Sequence, residues 1–178
     1  MQIQKLIPMR KHSTMIPLYL VMLLVLGACL QQQGTKQYFE DAPEIDIAKK
    51  AVGAFQDGDP ETYRQCYSDT AIFWHNTRFT DPGKSLEEQL RFVDSIYEMQ
   101  EYYYYEDEIW EMIIQNDGTN WVHFWGTLIT KYKGDNQEIQ VPVHFAFSLV
   151  DNKIVYEAGI WNGVPFYLAE QRMDAQTD

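Results

Sequence analysis

Four consecutive segments in the C-terminal half of this chain alternate like β-strands. They cover residues 103–115, 120–133, 138–150 and 153–162. The segments that join them have turn composition: Asn116-Asp117-Gly118, Gly134-Asp135-Asn136 and Asp151-Asn152. Because short turns of this kind connect neighbouring antiparallel strands, the pattern predicts a four-stranded meander.

Both faces of this predicted sheet are apolar. In its second strand, Trp121 and Trp125 alternate with Val122 and Phe124. A sheet with large apolar groups on both faces has to be covered on both. We therefore expect helices on one face and, on the other, either a second copy of the chain or an exposed patch, with a homodimer through this outer face as the preferred interpretation.

Two helices are predicted near the start of the domain. Apolar residues recur at helical spacing over residues 45–55, and Gly58 follows where a helix would end. Asp59 and Pro60 then predict a short second helix, because Asp59 suits the N-cap and Pro60 suits the first turn, where its missing N–H is not needed.

Further elements complete the prediction. Residues 71–76 are predicted to form a first strand, and the spacing of Ser85 and Glu88 is that of a capping box at the start of the longest helix. A last short helix is expected from Pro165. Helices first and a meander after predict an α+β domain in which three N-terminal helices pack on the concave face of a strongly curved antiparallel sheet.

The N-terminal segment has the composition of a secretory signal. It contains three basic residues and then an uncharged apolar run over residues 16–28, which is shorter than the roughly 20 residues that a spanning helix needs. The run ends in Leu26-Gly27-Ala28-Cys29, which resembles the lipobox of bacterial lipoproteins. This resemblance implies that residues 1–28 are removed and that Cys29 is lipidated.

Lipidation implies an anchor in the bilayer, with residues 29–43 as a polar tether. We expect the protein in the bacterial cell envelope, with the outer membrane favoured because Leu30, not an aspartate, follows the cysteine. A Cys29–Cys66 disulfide is the alternative, and a small buried thiol is the expected state of an unpaired Cys66.

The charge balance excludes one class of partner. Without residues 1–28, eleven basic residues face 26 acidic ones, so the net charge is −15. A chain this acidic repels nucleic acid phosphates, and no nucleic acid partner is expected.

The order of elements over residues 44–172 resembles the NTF2-like superfamily and, within it, the SnoaL-like group. The resemblance is carried by Gly58-Asp59-Pro60, by the strand segment from Asp69 to Asn76, by Gly126-Thr127, by Asp151-Asn152-Lys153-Ile154 and by Trp161-Asn162. It implies a cone-shaped fold that encloses a pocket, usually in a homodimer, and an activity drawn from isomerases, cyclases and dehydratases, or none. Residues 173–178 fall outside the resemblance and are expected to form a disordered tail.

Catalytic residues do not carry over simply from this resemblance. Ketosteroid-isomerase-like members have a carboxylate base in a Glu-Asp-Pro context at the end of the first strand, where this chain has His75-Asn76-Thr77. The base is therefore missing or is replaced by His75. Since histidine titrates near neutrality, the candidate catalytic residues are His75, His123, His144 and Glu157.

The candidate ligand-binding residues combine histidines with flat apolar side chains and polar groups. They are Trp74, His75, Asn76, Tyr97, His123, Trp125, His144 and Trp161. The alternative is that these histidines and tryptophans only pack in the core or at an interface. No spacing typical of a metal site, a phosphate loop or a dinucleotide-binding motif is present in the sequence, so no metal and no cofactor are predicted.

Three functional hypotheses follow from these residues. The first is a membrane-tethered domain that binds a small apolar or aromatic ligand in its cone. The second is a SnoaL-like enzyme that uses strand histidines for proton transfer. The third is a non-catalytic interaction domain whose interior is filled by its own side chains.

Overall fold

The computed structural model describes residues 37–177, which contain four helices and seven strands. The helices are α1 (Pro43–Asp57), α2 (Pro60–Cys66), α3 (Leu86–Met99) and α4 (Val164–Thr177). The strands are β1 (Tyr38–Phe39), β2 (Tyr67–His75), β3 (Lys84–Ser85), β4 (Gln100–Ile114), β5 (Asn120–Tyr132), β6 (Ile139–Val150) and β7 (Lys153–Trp161). The predicted signal peptide and Cys29 lie outside the described residues.

One sheet contains all seven strands, in the order β1-β4-β5-β6-β7-β2-β3. Strands β4 to β7 form the predicted meander, with bounds within a few residues of those expected. Among the pairs of this sheet, β2 and β7 run parallel and the others antiparallel. The parallel pair places the first long strand of the domain beside the last.

A bulge bends the sheet between β4 and β5. Glu106 pairs with Thr127 and Ile109 with Trp125, so β4 has one residue more than β5 over this stretch. Asp107, inside the bulge, has a φ of 55°. A Cβ on the facing Gly126 would lie 2.7 Å from Cζ of Phe124, so only glycine fits opposite the bulge without displacing a core ring. Bulges of this kind increase the local twist and bend of a strand.

The helix ends use the predicted capping groups. Gly58 ends α1 with a φ of 69°, and the Asp59 side chain accepts a hydrogen bond of 3.0 Å from the backbone N–H of Thr62. Ser85 and Glu88 form the predicted reciprocal capping box at the start of α3. These caps satisfy backbone N–H groups that have no partner within the helix.

The hydrophobic core lies between the helices and the inner face of the sheet. Phe73, Phe124 and Phe147 contribute the largest fully buried side chains of the strands. Ala48 and Ala51 are fully buried on α1, where their small size lets the helix lie close to the sheet. Burial of each phenylalanine contributes about 1.5–3 kcal/mol.

The α+β class is confirmed, but the domain has four helices, and not all of them are N-terminal to the meander. Three helices precede the meander, and α4 follows it. Residues 173–177, expected to belong to a disordered tail, are instead part of α4, which continues to Thr177. This helix is held by Ala169, which is fully buried, and by Arg172, which donates hydrogen bonds to Asp135.

The start of the domain also differs from the expectation. Residues 37–43 were assigned to the tether, but Tyr38 and Phe39 pair with Ile113 and Met112 of β4, and α1 begins at Pro43. A two-residue strand is too short to produce an alternation pattern. Within residues 37–177, none of the helices combines the length and hydrophobicity that a membrane crossing requires.

Candidate functional site

A cavity of about 250 Å³ lies between the inner face of the sheet and the helices. Aromatic and aliphatic side chains form most of its wall, and a smaller number of polar groups interrupt it. Its polar and aromatic lining residues are Phe55, Tyr63, Tyr67, His75, Gln89, Phe92, Gln100, Tyr103, Tyr105, Tyr132, Phe145, Phe147, Glu157, Trp161, Phe166 and Glu170. A concave, mostly apolar space with few polar groups is the usual form of a small-molecule site.

The polar centre of this wall is a buried pair, His75 and Glu157. Nε2 of His75 lies 2.8 Å from Oε1 of Glu157, and the two side chains are 8% and 6% exposed. The pair depends on the parallel contact of β2 and β7, which sets Phe73 beside Glu157 and His75 beside Gly159. Because a carboxylate can only accept, this contact assigns the Nε2 hydrogen to His75.

Tyr67 is the second hydrogen-bond partner of the Glu157 carboxylate. Its hydroxyl donates a short hydrogen bond to Oε2 of Glu157. Burial, together with the neighbouring Glu157, raises the pKa of Tyr67 and of Tyr63 well above the usual range for tyrosine. Both phenols therefore remain protonated donors at neutral pH. Both oxygens of Glu157 thus have partners, and the carboxylate is fixed in one orientation.

Two polar atoms in the same wall have no hydrogen-bond partner among the described residues. They are Nδ1 of His75 and Oε1 of Gln89. Gln89 is only 2% exposed, and its Nε2 donates to the hydroxyl of Tyr63 at 3.4 Å. Buried polar atoms without a partner are rare in folded proteins, so these two atoms mark the part of the wall that can bind a polar group.

A second pair of tyrosines lies elsewhere in the cavity wall. The hydroxyls of Tyr103 and Tyr105 are 2.7 Å apart, so one donates to the other. Burial raises the pKa of both, and the edge of Tyr105 packs against Phe145. Tyr102 and Tyr104, which alternate with these two residues along β4, lie on the other face of the sheet.

His123, His144 and Trp125 do not line the cavity, contrary to the expectation. Strand pairing places them on the outer face, opposite to Phe124 and Phe145. Nδ1 of His123 lies 3.0 Å from Nε2 of His144, and the Trp125 ring stacks on His144 at 3.9 Å. Burial lowers the pKa of both histidines, so their neutral forms are favoured.

Trp74 and Asn76 also have positions other than those expected for ligand contacts. Trp74 lies on the outer face, where its indole donates to the carbonyl of Asp81 at 2.9 Å and its ring packs against Tyr156. Asn76 has a φ of 51°, and its side chain accepts a hydrogen bond of 3.0 Å from the backbone N–H of Trp161. Asn76 therefore joins the ends of β2 and β7.

Of the other predicted ligand residues, Trp161 lies in the cavity wall and Tyr97 does not. The Trp161 ring packs against His75 at a centroid distance of 5.4 Å. Tyr97 packs on Phe55, beside Gly58, and burial raises its pKa to about 12. Tyr63, Tyr67 and Gln89 also line the cavity and were not predicted from the sequence. The i, i+4 spacing of the two tyrosines, which indicates that they lie on the same side of a helix, was the one signal that could have found them.

Neither a reactive thiol nor a metal-binding cluster is found in the part of the chain that the structure describes. The thiol of Cys66 is buried, donates to the carbonyl of Thr62 at 3.3 Å and has a pKa raised by burial. A raised pKa keeps the thiol protonated and unreactive. Within residues 37–177, no three His, Cys, Asp or Glu side chains are grouped so that they could hold a metal ion.

Solved structures show which fold this is. A protein from Shewanella denitrificans described as a SnoaL-like polyketide cyclase superposes with a TM-score of 0.57 at 15% identity, over 74% of this chain and 99% of that one. This chain has the fold of that protein. TerC, crystallised with polyporic acid, gives a TM-score of 0.57 at 16% identity, over 72% and 98% of the two chains.

A third structure with the same fold is an NTF2-like protein from Burkholderia xenovorans. Its TM-score is 0.56 at 16% identity, over 74% of this chain and 98% of that one. No protein-family model matches this chain, and no curated protein matches it in sequence. At 15–16% identity, these structures show the fold of this chain and leave its function open.

Proposed function

We propose that this protein is a membrane-anchored binding protein that holds a small, largely apolar or aromatic molecule in the cavity. The observation that carries the proposal is the cavity of about 250 Å³ itself, whose wall is largely aromatic and contains the buried His75–Glu157 pair. An interaction domain with a filled interior would leave no such space. TerC, which shares the fold, was crystallised with polyporic acid, and this supports an organic ligand here.

Native mass spectrometry of protein purified from its own host tests this proposal. We expect a retained small molecule with the wild-type chain. Val143 lines the cavity, so Val143→Phe fills part of the space inside it. Ile160→Phe adds similar bulk on the outer face of the adjoining strand. The retained mass should disappear in V143F and persist in I160F, with the fold of both checked by circular dichroism. Equal retention in both variants would place the ligand elsewhere.

The second candidate function is proton transfer, and the His75–Glu157 pair favours it. Glu157 fixes the Nε2 tautomer of His75, so the bare Nδ1 is an acceptor that could take a proton from a substrate in the cavity. An acid–base histidine oriented by a carboxylate is a recurring catalytic arrangement. Proteins described as polyketide cyclases share this fold, but a shared fold does not transfer their activity to this chain.

Deuterium exchange distinguishes the enzyme from the binding protein. An enolisable ketone such as 2-tetralone is incubated with the protein in D₂O, and exchange next to the carbonyl is followed by NMR. If the enzyme hypothesis is right, His75→Gln abolishes the protein-dependent exchange. His144→Gln, the same change on the outer face, leaves it intact. Exchange at the rate of buffer alone would leave binding as the function.

Membrane anchoring through Cys29 is part of the proposal and is supported by the Leu26-Gly27-Ala28-Cys29 motif after the apolar run. Cys29→Ser removes the thiol that would be lipidated. We expect the wild-type chain in the outer-membrane fraction and the variant in the soluble envelope fraction. An unchanged distribution in C29S would contradict the lipid anchor.

The outer face of the sheet supports a homodimer. Ile109, Trp125 and Ile160 lie on this face and are 61%, 46% and 66% exposed. Apolar groups of this size at one sheet face are usual at protein interfaces. Analytical ultracentrifugation of the wild type should give a dimer and Ile160→Lys a monomer, whereas a monomeric wild type would refute this assignment.

A further inference from the structure

The polar part of the cavity wall has an uneven set of hydrogen-bonding groups. The two atoms without a partner, Nδ1 of His75 and Oε1 of Gln89, both belong to side chains that are more than nine-tenths buried. Because Nε2 of His75 donates to Glu157, Nδ1 of the neutral ring has only a lone pair. Because Nε2 of Gln89 donates to Tyr63, the free atom of the amide is its carbonyl oxygen. Both open positions are therefore acceptors.

The charges in the wall have one sign. Glu157 and Glu170 line the cavity, and within residues 37–177 no lysine or arginine does. An anionic ligand would be brought next to a buried carboxylate with no fixed positive charge to compensate it, and desolvation makes such an arrangement strongly unfavourable. A cationic or neutral head group avoids this repulsion.

The tyrosine pair contributes the complementary group. One of the hydroxyls of Tyr103 and Tyr105 donates to the other, which leaves one O–H hydrogen for a further acceptor. A hydroxyl group of a ligand can both donate and accept, whereas an ether or a ketone can only accept. A carboxylate can only accept as well, and it adds charge of the wrong sign.

We propose that the ligand is an apolar molecule whose polar end donates hydrogen bonds and carries no negative charge, that is, a hydroxyl- or amine-bearing compound and not a carboxylic acid. Its donor hydrogens would bind Nδ1 of His75 and Oε1 of Gln89. This inference rests on the proposed binding function of the cavity and adds the chemical class of what is bound. It excludes fatty acids and other carboxylates as ligands.

Four probes with one ring system test the inference: 2-naphthol, 2-naphthylmethylammonium, 2-methoxynaphthalene and 2-naphthoate. Their binding to the full chain in detergent micelles is measured by calorimetry at pH 8. The partition of each probe into protein-free micelles is measured and subtracted. We expect naphthol or the ammonium probe to bind at least tenfold tighter than the ether, and naphthoate to bind weakest. Which of the two donors binds tighter distinguishes a neutral head group from a cationic one.

Two variants test whether the carbonyl oxygen of Gln89 accepts a hydrogen bond from the ligand. Gln89→Met keeps the shape and removes the acceptor, while Gln140→Met makes the same change at an exposed position of β6. Q89M should lose at least fivefold in affinity for the donor probe and stay within twofold for the ether, and Q140M should change neither. Because each probe partitions into micelles equally for every variant, these ratios report the cavity alone.

The outcomes separate the two proposals. If none of the probes binds and no mass is retained from the host, the binding function itself fails. If the probes bind but the ether equals the donors, or naphthoate binds tightest, the binding function stands and the assignment of a donor head group is overturned.

Discussion

The strongest single test of the site geometry is Tyr67→Phe. The substitution removes one oxygen and leaves the ring in place, so it creates almost no cavity. Tyr67 is 3% exposed and Glu157 is 5% exposed, and the lost hydrogen bond is one between a phenol and a buried carboxylate. Removing a donor from a charged acceptor costs about 1.5–3 kcal/mol, more than a neutral hydrogen bond.

The corresponding change in melting temperature is measurable. A domain of about 140 residues loses roughly 4 °C for each kcal/mol, so a loss of about 2 kcal/mol lowers the Tm by ~8 °C. The assay is urea unfolding at pH 7, followed by circular dichroism, with a thermal melt beside it. Both report the free energy of unfolding if the transition is two-state.

Tyr156→Phe is the matched control. Tyr156 lies next to Glu157 on β7 but faces outward and is 40% exposed. Its loss of a hydroxyl should change stability by less than about 0.5 kcal/mol. If Y67F were as stable as Y156F, the carboxylate would not depend on the Tyr67 hydroxyl, and the reasoning about a fixed, buried Glu157 would be refuted.

Further predictions concern the sheet and its outer face. Gly126→Ala should destabilise the fold by about 1–3 kcal/mol, because its Cβ would lie 2.7 Å from a core ring. Gly53→Ala, with open space around it on α1, should stabilise the fold by up to ~1 kcal/mol. Urea unfolding measures both changes, and a change of the same sign in the two variants would refute this explanation. Burial lowers the pKa of His123 and His144, so the unfolded chain binds protons more readily. Their contribution to stability should be complete above about pH 6.5 and decline as the pH falls toward their lowered pKa values. The urea midpoint of the wild type should therefore drop between pH 7.5 and pH 5.5 by more than that of His123→Gln/His144→Gln; an equal drop would assign the acid sensitivity to other groups.

The hairpins of this fold were predictable because their chemistry is local. Asp151 and Asn152 both have positive φ, at 50° and 61°, which is what a tight turn between twisted strands requires and what these two residue types tolerate. The capping box of α3 is local in the same way. Elements of this kind depend on residues three or four positions apart, and a sequence displays them directly.

The face that each strand presents was not predictable, because both alternation sets are apolar. His123 and His144 alternate with Phe124 and Phe145, and large aromatic groups on either side give no preference for the interior. The bulge at Asp107 adds a further uncertainty, since one extra residue reverses the side on which the following residues lie. Of the candidate site residues, His75, Glu157 and Trp161 lie in the cavity wall, and the other two histidines lie outside it.

The parallel contact of β2 with β7 has a consequence for how this protein is made. His75 and Glu157 are 82 positions apart in the chain, and β7 is the last strand of residues 37–177 to be synthesised. Contacts between such distant residues form late, since the entropy of closing a long loop has to be overcome first. The polar centre of the cavity is thus assembled only when nearly the whole domain has been synthesised, and a nascent chain that stops before β7 exposes an open sheet edge with an incomplete interior.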